Sequence, residues 1–227
     1  NLLISLTSLK THTMFTFLIK PTNACNLRCK YCFIQDSIKS SSKMMTLDLA
    51  KKIIDKIASF LATHGQSSCQ IIWHGGEPLL WKASNYDEAL SYMNTSYPEI
   101  VWKNAMQTNL TLLTDEHIKI IKKHNICLST SMDGYEELHN QTRVTSDGEG
   151  SHSIVVKKIK ALKENGIDFG LIVVLTSQNI GNIIDIYRYY KGFSQGFLIN
   201  PLLMEGEAKA NGELSITPEE YSTAMIR

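Results

Sequence analysis

Short apolar runs alternate with longer amphipathic stretches along the chain. The apolar runs predict six β-strands, and each run is followed by a stretch in which apolar residues recur at helical spacing. The predicted strands are 14–20, 69–74, 101–108, 126–132, 168–176 and 195–200. The predicted helices are 46–61, 85–95, 114–124, 152–165 and 179–191, with a last one beginning near Thr217. The first helix places Leu47, Ile53, Ile54, Ile57 and Leu61 on one face.

Capping residues support several of these boundaries. Thr46 and Thr114 stand where a helix N-cap is expected, because a threonine hydroxyl can accept a hydrogen bond from the first helical turn. Gly166 follows the helix predicted at 152–165 and takes the position that a C-capping glycine occupies.

Strands that alternate with helices indicate a mainly parallel sheet joined by right-handed crossovers. The uninterrupted apolar run at 171–175 is typical of a strand covered on both faces. Periodicity alone does not separate a doubly wound open sheet from a partial or full barrel. In each of these folds the chemistry lies at the carboxyl ends of the strands, so functional motifs should follow predicted strands.

Composition and charge narrow the class of protein. The chain has 227 residues, of which 43% are hydrophobic and 20% charged, as in a globular protein of one large domain or two small ones. A formal net charge of +1 gives no broad electrostatic attraction to nucleic acid or to an anionic membrane. Lys10 and His12 interrupt the mildly apolar residues 1–20. We therefore expect neither a membrane span nor a nucleic-acid partner.

The number of cysteines and the first residue bear on the cellular setting. Five cysteines are an odd number in a chain of this length, which favours a reducing compartment, and we predict a cytoplasmic protein. The chain begins with Asn rather than Met. Our hypothesis is that Met14 is the true start, that residues 1–13 are an N-terminal extension, and that 14–227 form the core domain.

Three of the five cysteines lie within PTNACNLRCKYCF, directly after the first predicted strand. Cys25, Cys29 and Cys32 have the spacing C-x3-C-x2-C. A structural zinc site normally has four ligands, and we interpret the remaining Cys69 and Cys127, which lie in predicted strands, as buried apolar thiols. Three thiolates can hold three corners of a [4Fe–4S] cluster and leave the fourth iron open to a ligand. A redox-active C-x2-C pair is the alternative for this loop.

With Tyr31 between the last two cysteines, the loop resembles the C-x3-C-x-aromatic-C signature of the radical S-adenosylmethionine (radical SAM) enzymes. After the second strand, His74 precedes Gly75-Gly76-Glu77-Pro78, which is similar to the G-G-E-P motif of that family. In the family this segment receives the amino group of S-adenosylmethionine, largely through main-chain atoms. Two glycines suit that role because they let the main chain approach a ligand closely.

Two further segments are similar to one subgroup, the anaerobic sulfatase-maturating enzymes and related peptide maturases. They are QTNLTLL at 107–113, and SMDG at 131–134 followed by HNQTR. The resemblance implies that Ser131 and Arg143 contact the ribose and carboxylate region of the cofactor. An arginine suits a carboxylate because its planar fork donates two charge-assisted hydrogen bonds.

The chain departs from the subgroup pattern at two places. Leu110 stands where relatives have glycine, and Asn140 follows His139 where they have aspartate. Gln107, Asn109 and Asp133 either line the site or stabilise the strand ends, and both interpretations stay open. Tyr31 and His74 have the alternatives of an ordinary loop tyrosine and a core histidine bonded to a carbonyl. For Arg143 the alternative is a surface salt bridge.

The resemblance implies an α/β fold, namely a partial (βα)6 TIM-like barrel with parallel strands. Its implied metal ligands are the three clustered cysteines, and its implied cofactor-binding residues are Tyr31, His74, Gly75, Gly76, Glu77, Ser131 and Arg143. The implied cofactors are a [4Fe–4S] cluster and S-adenosylmethionine. A general base and auxiliary clusters are not identified, because relatives carry them in a cysteine-rich C-terminal domain of the SPASM type that we expect but that is absent from this sequence.

The implied activity is reductive cleavage of S-adenosylmethionine to a 5′-deoxyadenosyl radical that abstracts hydrogen from a protein or peptide side chain. The most similar reaction is sulfatase maturation, in which cysteine or serine becomes formylglycine. The alternative enzyme is a maturase of a ribosomal peptide, in which it would form a crosslink, form a thioether or epimerise a residue. The alternative from another class is a non-enzymatic metal-binding scaffold. The partners implied are the protein or peptide substrate and a one-electron donor such as flavodoxin or ferredoxin.

Overall fold

A computed structural model describes residues 14–34, 43–194 and 196–226. The hypothesis about an extension at 1–13 therefore lies outside the described residues. Within these ranges no helix is both long and apolar enough to cross a lipid bilayer.

The centre of the molecule is a six-stranded parallel sheet whose strands lie in sequence order. The strands are β1 (Phe15–Ile19), β2 (Ser68–Trp73), β3 (Val101–Thr108), β4 (Cys127–Ser131), β5 (Phe169–Leu175) and β6 (Phe197–Pro201). In the described residues β1 and β6 do not pair with each other, so the curled sheet is a partial barrel with an opening between its first and last strands. The predicted partial (βα)6 fold is confirmed.

Helices follow the strands as expected. They are α1 (Leu47–Thr63), α2 (Ala83–Ser96), α3 (Asp115–Lys123), α4 (Glu136–Thr142), α5 (His152–Glu164), α6 (Ile183–Tyr190), α7 (Glu207–Ala210) and α8 (Pro218–Ile226). Short 3-10 turns lie at Pro78–Leu80, Ile180–Asn182 and Gly212–Leu214. Two of these helices were not predicted from the sequence, namely α4, which overlaps the polar HNQTR segment, and α7.

The predicted caps take the expected conformations. The hydroxyl of Thr46 accepts from the N–H of Leu49, and that of Thr114 from the N–H of His117. Gly166 follows α5 with a φ of +66°, the left-handed backbone that ends helices favourably at glycine.

Burial alternates along the strands because one face packs against the helices and the other faces the concave side of the barrel. In β5, Leu171, Val173 and Leu175 are buried, whereas Ile172 and Val174 are half-buried. The strand is therefore covered more completely on its helix side than on its concave side, and no residue of it is exposed.

The same alternation corrects the interpretation of one cysteine. Cys69 is fully buried, as predicted, but Cys127 is exposed. Cys127 shares its strand face with Ser129 and Ser131, because side chains two residues apart point to the same side of a strand. It therefore lies on the concave side, at the amino end of β4.

Candidate functional site

A cavity of about 410 Å³ lies where the carboxyl ends of the strands meet. Its polar and cysteine lining consists of Cys25, Cys29, Tyr31, Cys32, His74, Gln107, Thr108, Asn109, Ser131, Arg143 and Asn200, together with the main chain of Gly75 and Gly76. Its apolar lining consists of Phe33, Ile34, Ile172, Val174, Pro201, Leu202 and Leu203. The predicted motifs therefore lie together at the carboxyl ends of the strands, as expected for a parallel α/β sheet.

The three clustered cysteines reach the cavity from the loop after β1. They are unbridged thiols, each partly buried. Burial raises the pKa of Cys25 to about 11 and that of Cys29 to about 12, and it also raises the pKa of Cys32. In the metal-free chain these thiols therefore hold their protons at neutral pH, and binding a metal would release them.

Hydrogen-bond donors surround two of the sulfur atoms. The main-chain N–H of Leu27 lies 3.4 Å from the sulfur of Cys25, and the side-chain amide of Asn109 lies 3.7 Å from it. Nη1 of Arg143 lies 4.0 Å from the sulfur of Cys29. Such donors stabilise sulfur that carries negative charge, as in an iron–sulfur cluster.

The donor set differs from that of a single-ion site. Among the described residues, no three His, Cys, Asp or Glu side chains converge closely enough to hold one metal ion. The three thiols nevertheless line one cavity. A cluster with a separate iron for each thiolate fits this arrangement, since its ligands need not meet at one point.

The two glycines after β2 pack against the chain that leads into the cysteine loop. A Cβ added to Gly75 would lie 2.2 Å from the carbonyl oxygen of Thr22, and one added to Gly76 would lie 2.1 Å from that of Ala24. The N–H of Gly76 donates to the Thr22 carbonyl at 3.0 Å. The close approach that requires glycine is therefore made to the protein's own main chain, while other atoms of the two residues line the cavity.

Glu77 lies beneath the cavity rather than on its wall. Its fully buried carboxylate accepts from the N–H of Leu79 and the hydroxyl of Thr108, and, through its other oxygen, from the N–H of Asn109 at 2.8 Å. Burial raises the pKa of Glu77 to about 7, although these three donors oppose the shift. The side chain joins the loop after β2 to the end of β3.

His74 is half-buried at the cavity. Its Nδ1 lies 2.7 Å from the main-chain N–H of Gly75, which donates to it. Burial lowers the pKa of His74. The same Nδ1 also lies 3.1 Å from the carbonyl oxygen of Gly75, so the imidazole bonds locally to the main chain of Gly75 while its ring borders the cavity.

A buried carboxylate, that of Asp133, accepts hydrogen bonds from several residues around the cavity. Its Oδ2 accepts from Nε of Arg143 and from the hydroxyl of Thr142, each at 3.0 Å, and also from the hydroxyl of Tyr31. Its Oδ1 accepts from the N–H of Val174 at 3.2 Å. Asp133 is fully buried and stands behind the residues that line the cavity, so it stabilises the strand end.

Arg143 joins this network to the cavity. Its guanidinium is buried and lies 5.4 Å from the ring centre of Tyr31 in a cation–π contact. The alternative of a surface salt bridge is therefore wrong. Asp133 engages Nε, which leaves the two outer nitrogens free of Asp133, and Arg143 lines the cavity as the resemblance implied.

Ser131 and Gln107 form a second polar wall. The Gln107 side-chain amide donates to the Ser131 hydroxyl at 3.0 Å, and its carbonyl oxygen accepts from Ser129. Both Ser131 and Gln107 line the cavity. Gln107 therefore serves in both of the roles that were left open for it.

The two departures from the subgroup pattern have local explanations. Leu110 has a φ of +66°, a left-handed backbone that glycine adopts without strain, and its side chain is fully buried. Asn140 accepts from the N–H of His152 at 3.0 Å through Oδ1 and so caps α5. An aspartate oxygen would accept the same bond.

Part of the cavity lining was not predicted from the sequence. Asn200, Leu202 and Leu203, at and just after the end of β6, line it. Their position at the carboxyl end of the last predicted strand was an available signal, but the residues match no motif.

Comparisons with known proteins agree with this geometry. The sequence profile of the radical SAM superfamily matches residues 19–190. The serine-type anaerobic sulfatase-maturating enzyme of Klebsiella aerogenes is 31% identical over 93% of this chain and 52% of its own length. The cysteine-type anaerobic sulfatase-maturating enzyme of Clostridium novyi is 28% identical over 92% of this chain and 57% of its own length.

A solved structure described as native anSMEcpe with bound AdoMet and Cp18Cys peptide has a TM-score of 0.80 to this chain. It is 25% identical, and the match covers 93% of this chain and 58% of that one. The chain spans about half the length of the curated relatives that it matches.

Proposed function

The chain belongs to the radical SAM superfamily, and on that premise we propose that it binds a [4Fe–4S] cluster and S-adenosylmethionine and modifies a protein or peptide side chain. The observation that supports this most strongly is the convergence of three thiols, a glycine pair and a buried arginine on one cavity. Each reaches the cavity from the carboxyl end of the sheet, where α/β barrels place their chemistry.

In this proposal Cys25, Cys29 and Cys32 each ligate one iron. When bound, the cluster and S-adenosylmethionine supply reductive carbon–sulfur cleavage and a 5′-deoxyadenosyl radical that removes a substrate hydrogen atom. The chain's own contribution is to bind, to orient and to exclude water.

The proposed cofactor-binding residues differ in the part of the cofactor that each would contact. Arg143 offers its outer nitrogens to a carboxylate, and Ser131 offers a hydroxyl to the ribose region. The main chain of Gly75 and Gly76 faces the amino group, with His74 beside it. Tyr31 acts through Arg143, which it contacts, and Glu77 acts through the loop that it holds.

Charge in the cavity is balanced in a way that suits a zwitterionic ligand. The Arg143 guanidinium is already paired with Asp133 through Nε, so it is held in place without losing its outer donors. Ile172, Val174 and Leu202 add apolar surface to the lining of the same cavity. A lining of this kind excludes water from a reactive intermediate and limits side reactions.

The substrate proposed is a cysteine or serine side chain that is oxidised to formylglycine. Relatives named for both the serine-type and the cysteine-type reaction match to a similar degree, so similarity does not choose between them. The structure described with a bound peptide supports a peptide substrate for this fold. We retain the proposal of a reducing, cytoplasmic setting and of a one-electron donor such as flavodoxin or ferredoxin.

Anaerobic reconstitution tests the cofactor part of the proposal. The wild-type chain should bind about four irons, turn brown, and release 5′-deoxyadenosine when it is reduced with S-adenosylmethionine. Cys29→Ser should lose the cluster, whereas Cys127→Ser should keep it, because Cys127 is exposed and outside the cavity. A colourless protein that binds one zinc would support the scaffold alternative instead.

Mass spectrometry tests the substrate part. Incubation with sulfatase-derived peptides should change a cysteine peptide by about −18 Da or a serine peptide by about −2 Da, as expected for formylglycine. A ribosomal-peptide maturase would leave these peptides unchanged and modify another substrate. A peptide product of unchanged mass in which one stereocentre is inverted would indicate epimerisation.

A further inference from the structure

The loops that follow the first and last strands meet across the opening of the barrel. The loop that carries Cys25, Cys29 and Cys32, which we call the cysteine loop, follows β1. Residues 202–214, which we call the closing segment, follow β6. The closing segment contains α7 and the 3-10 turn Gly212–Leu214. The two strands do not pair with each other in the part of the chain that the structure describes, but these two segments are in direct contact.

Two hydrogen bonds connect the closing segment to the main chain of the cysteine loop. The main-chain N–H of Glu207 donates to the carbonyl oxygen of Cys32 at 3.0 Å. The side-chain amide of Asn211 donates to the carbonyl oxygen of Lys30 at 2.9 Å. These bonds hold the residues on both sides of Tyr31.

Gly206 allows the two main chains to approach closely. It has a φ of +55°. A Cβ added there would lie 2.4 Å from the carbonyl oxygen of Cys32 and 2.9 Å from Cα of Phe33. Both the backbone conformation and the contact therefore require glycine at this position.

An apolar contact set lies behind these bonds. Tyr31 from the cysteine loop is buried with Leu202, Ala208 and Leu214 in a cluster that is separate from the main hydrophobic core. The aromatic residue of the cysteine motif thus packs chiefly on the closing segment.

The residues on both sides of Cys29 have different support. The N–H of Arg28 donates to the carbonyl of Val144 at 2.7 Å, and that of Lys30 donates to the carbonyl of Thr142 at 2.9 Å. These bonds hold the middle of the loop against the last residue of α4 and the chain that follows it. The carbonyl of Cys32, by contrast, is held by the closing segment.

We propose that the closing segment is a positioning element for the third thiol, and that filling the cysteine site and ordering the closing segment favour each other. The inference rests on the proposed function, because it takes a metal cluster as the ligand of the cysteines. Coupling of this kind is reciprocal: if an ordered closing segment raises the affinity for the cluster, the cluster must stabilise the segment to the same degree.

Three glycine substitutions separate the contact from other effects. Gly206→Ala introduces both backbone strain and the contact with Cys32. Gly148→Ala introduces strain alone, because Gly148 has a φ of +84° and open space around its Cβ position. Gly212→Ala, within the closing segment, introduces neither.

Thiol labelling of the metal-free chain tests the contact directly. With N-ethylmaleimide, Cys32 should react about tenfold faster in Gly206→Ala than in wild type, whereas the two control variants should match wild type. Asn211→Asp, which removes the donor at equal size, should accelerate labelling in the same direction. Unfolding midpoints of the metal-free variants identify any that are globally unfolded, and Asn211→Asp then replaces Gly206→Ala.

Anaerobic iron uptake and hydrogen exchange test the coupling. Gly206→Ala should retain about half or less of the wild-type iron, and the loaded wild type should protect the N–H of Glu207 from exchange relative to the metal-free form. If wild type loads iron while Cys32 reactivity and iron content in Gly206→Ala match Gly148→Ala, the coupling is wrong. If wild type binds no iron, the proposed function fails, and the labelling result still decides whether the closing segment holds Cys32.

Discussion

At the residue scale, one buried carboxylate supports much of the cavity wall. Asp133 accepts from Tyr31, Thr142, Arg143 and the main chain of Val174, so each of its oxygens is engaged. A buried carboxylate is tolerated when it is paired and hydrogen-bonded in this way. Its role is to hold the residues that a ligand would contact.

Replacing Asp133 by asparagine should destabilise the chain strongly. Asp133→Asn leaves the Arg143 guanidinium buried without its charged partner, which should lower the free energy of unfolding by about 3 kcal/mol. Urea denaturation of the metal-free protein measures this. Asp185→Asn, which breaks an exposed pair with Arg188, is the matched control and should change it by less than about 0.5 kcal/mol. Equal effects of the two substitutions on the free energy of unfolding would contradict the role of Asp133 as the buried charged partner of Arg143.

Leu110 combines a strained backbone with a fully buried side chain. Its φ of +66° should cost about 1 kcal/mol relative to glycine, whereas its burial contributes more than that. Leu110→Gly and Leu110→Ala should both destabilise the protein. Because alanine keeps the strain, Leu110→Ala should be the less stable of the two by about 1 kcal/mol, the reverse of the usual order.

Leu113 provides the comparison for this prediction. It is as buried as Leu110, lies in the same loop, and does not have a positive φ. There the alanine variant should be more stable than the glycine variant in urea denaturation. The same order at both positions would mean that Leu110 is not strained.

At the element scale, α5 is capped by a residue from another helix. Ser151 precedes α5 without a side-chain capping bond, and Asn140 from α4 supplies the acceptor for the N–H of His152. Asn140→Ala should therefore lower the free energy of unfolding by about 1 kcal/mol. Asn140→Asp should keep or slightly raise stability, because it retains the oxygen and adds negative charge at a helix N-terminus.

Thermal and urea unfolding of the two Asn140 variants give the measurement. An alanine variant as stable as wild type would show that the bond contributes nothing. An aspartate variant as unstable as the alanine variant would show that the side-chain amide nitrogen, rather than the oxygen, matters at this position.

The sequence predicted elements better than it predicted how the site is supported. Strands and helices followed from apolar periodicity, and Thr46 and Thr114 were found because capping is local. Helix α4 is short and polar, and its stability depends on buried contacts of Leu138 and His139 that no local pattern reveals. Cys127 was misplaced because its strand face could be assigned only once the sheet was known to curl.

The site was predicted where a motif marked it and missed where distant contacts form it. The residues of the cysteine loop, the glycine pair, Ser131 and Arg143 all reached the cavity. The burial of Glu77 below the cavity could not be inferred, since it depends on hydrogen bonds from residues at the end of another strand. Gly206 was missed because its contact with Cys32 joins distant parts of the chain.

At the scale of the whole molecule, buried histidines should make the protein sensitive to acid. Burial lowers the pKa of His74, His117, His139 and His152, and that of His139 falls to about 3. In His139, Nδ1 accepts from the N–H of Asp133 and Nε2 bonds the hydroxyl of Ser151, which suits a neutral ring.

The sign of the pH effect follows from these lowered pKa values. Below about pH 6.5 the unfolded chain takes up protons that the folded chain does not, so the free energy of unfolding falls as the pH falls. His139 alone should remove about 2 kcal/mol between pH 8 and pH 5. Glu77 acts in the opposite direction, because its raised pKa lowers stability as the pH rises from 4.5 to about 7.

Urea denaturation at several pH values isolates the contribution of His139. His139→Gln should be less stable than wild type at pH 8, but its stability should fall less between pH 8 and pH 5. Parallel curves for wild type and His139→Gln would exclude His139 as a source of acid sensitivity.

The contact between Gly206 and Cys32 also bears on the order of events during biosynthesis. Each strand of the sheet pairs with the strand made just before it, so the barrel can grow as the polypeptide emerges from the ribosome. The cysteine loop is made early, but Glu207, which holds the Cys32 carbonyl, is made near the end of the described chain. A nascent chain therefore exposes its thiols long before Cys32 is held in place, and the proposed coupling then makes acquisition of the cofactor a late step in maturation.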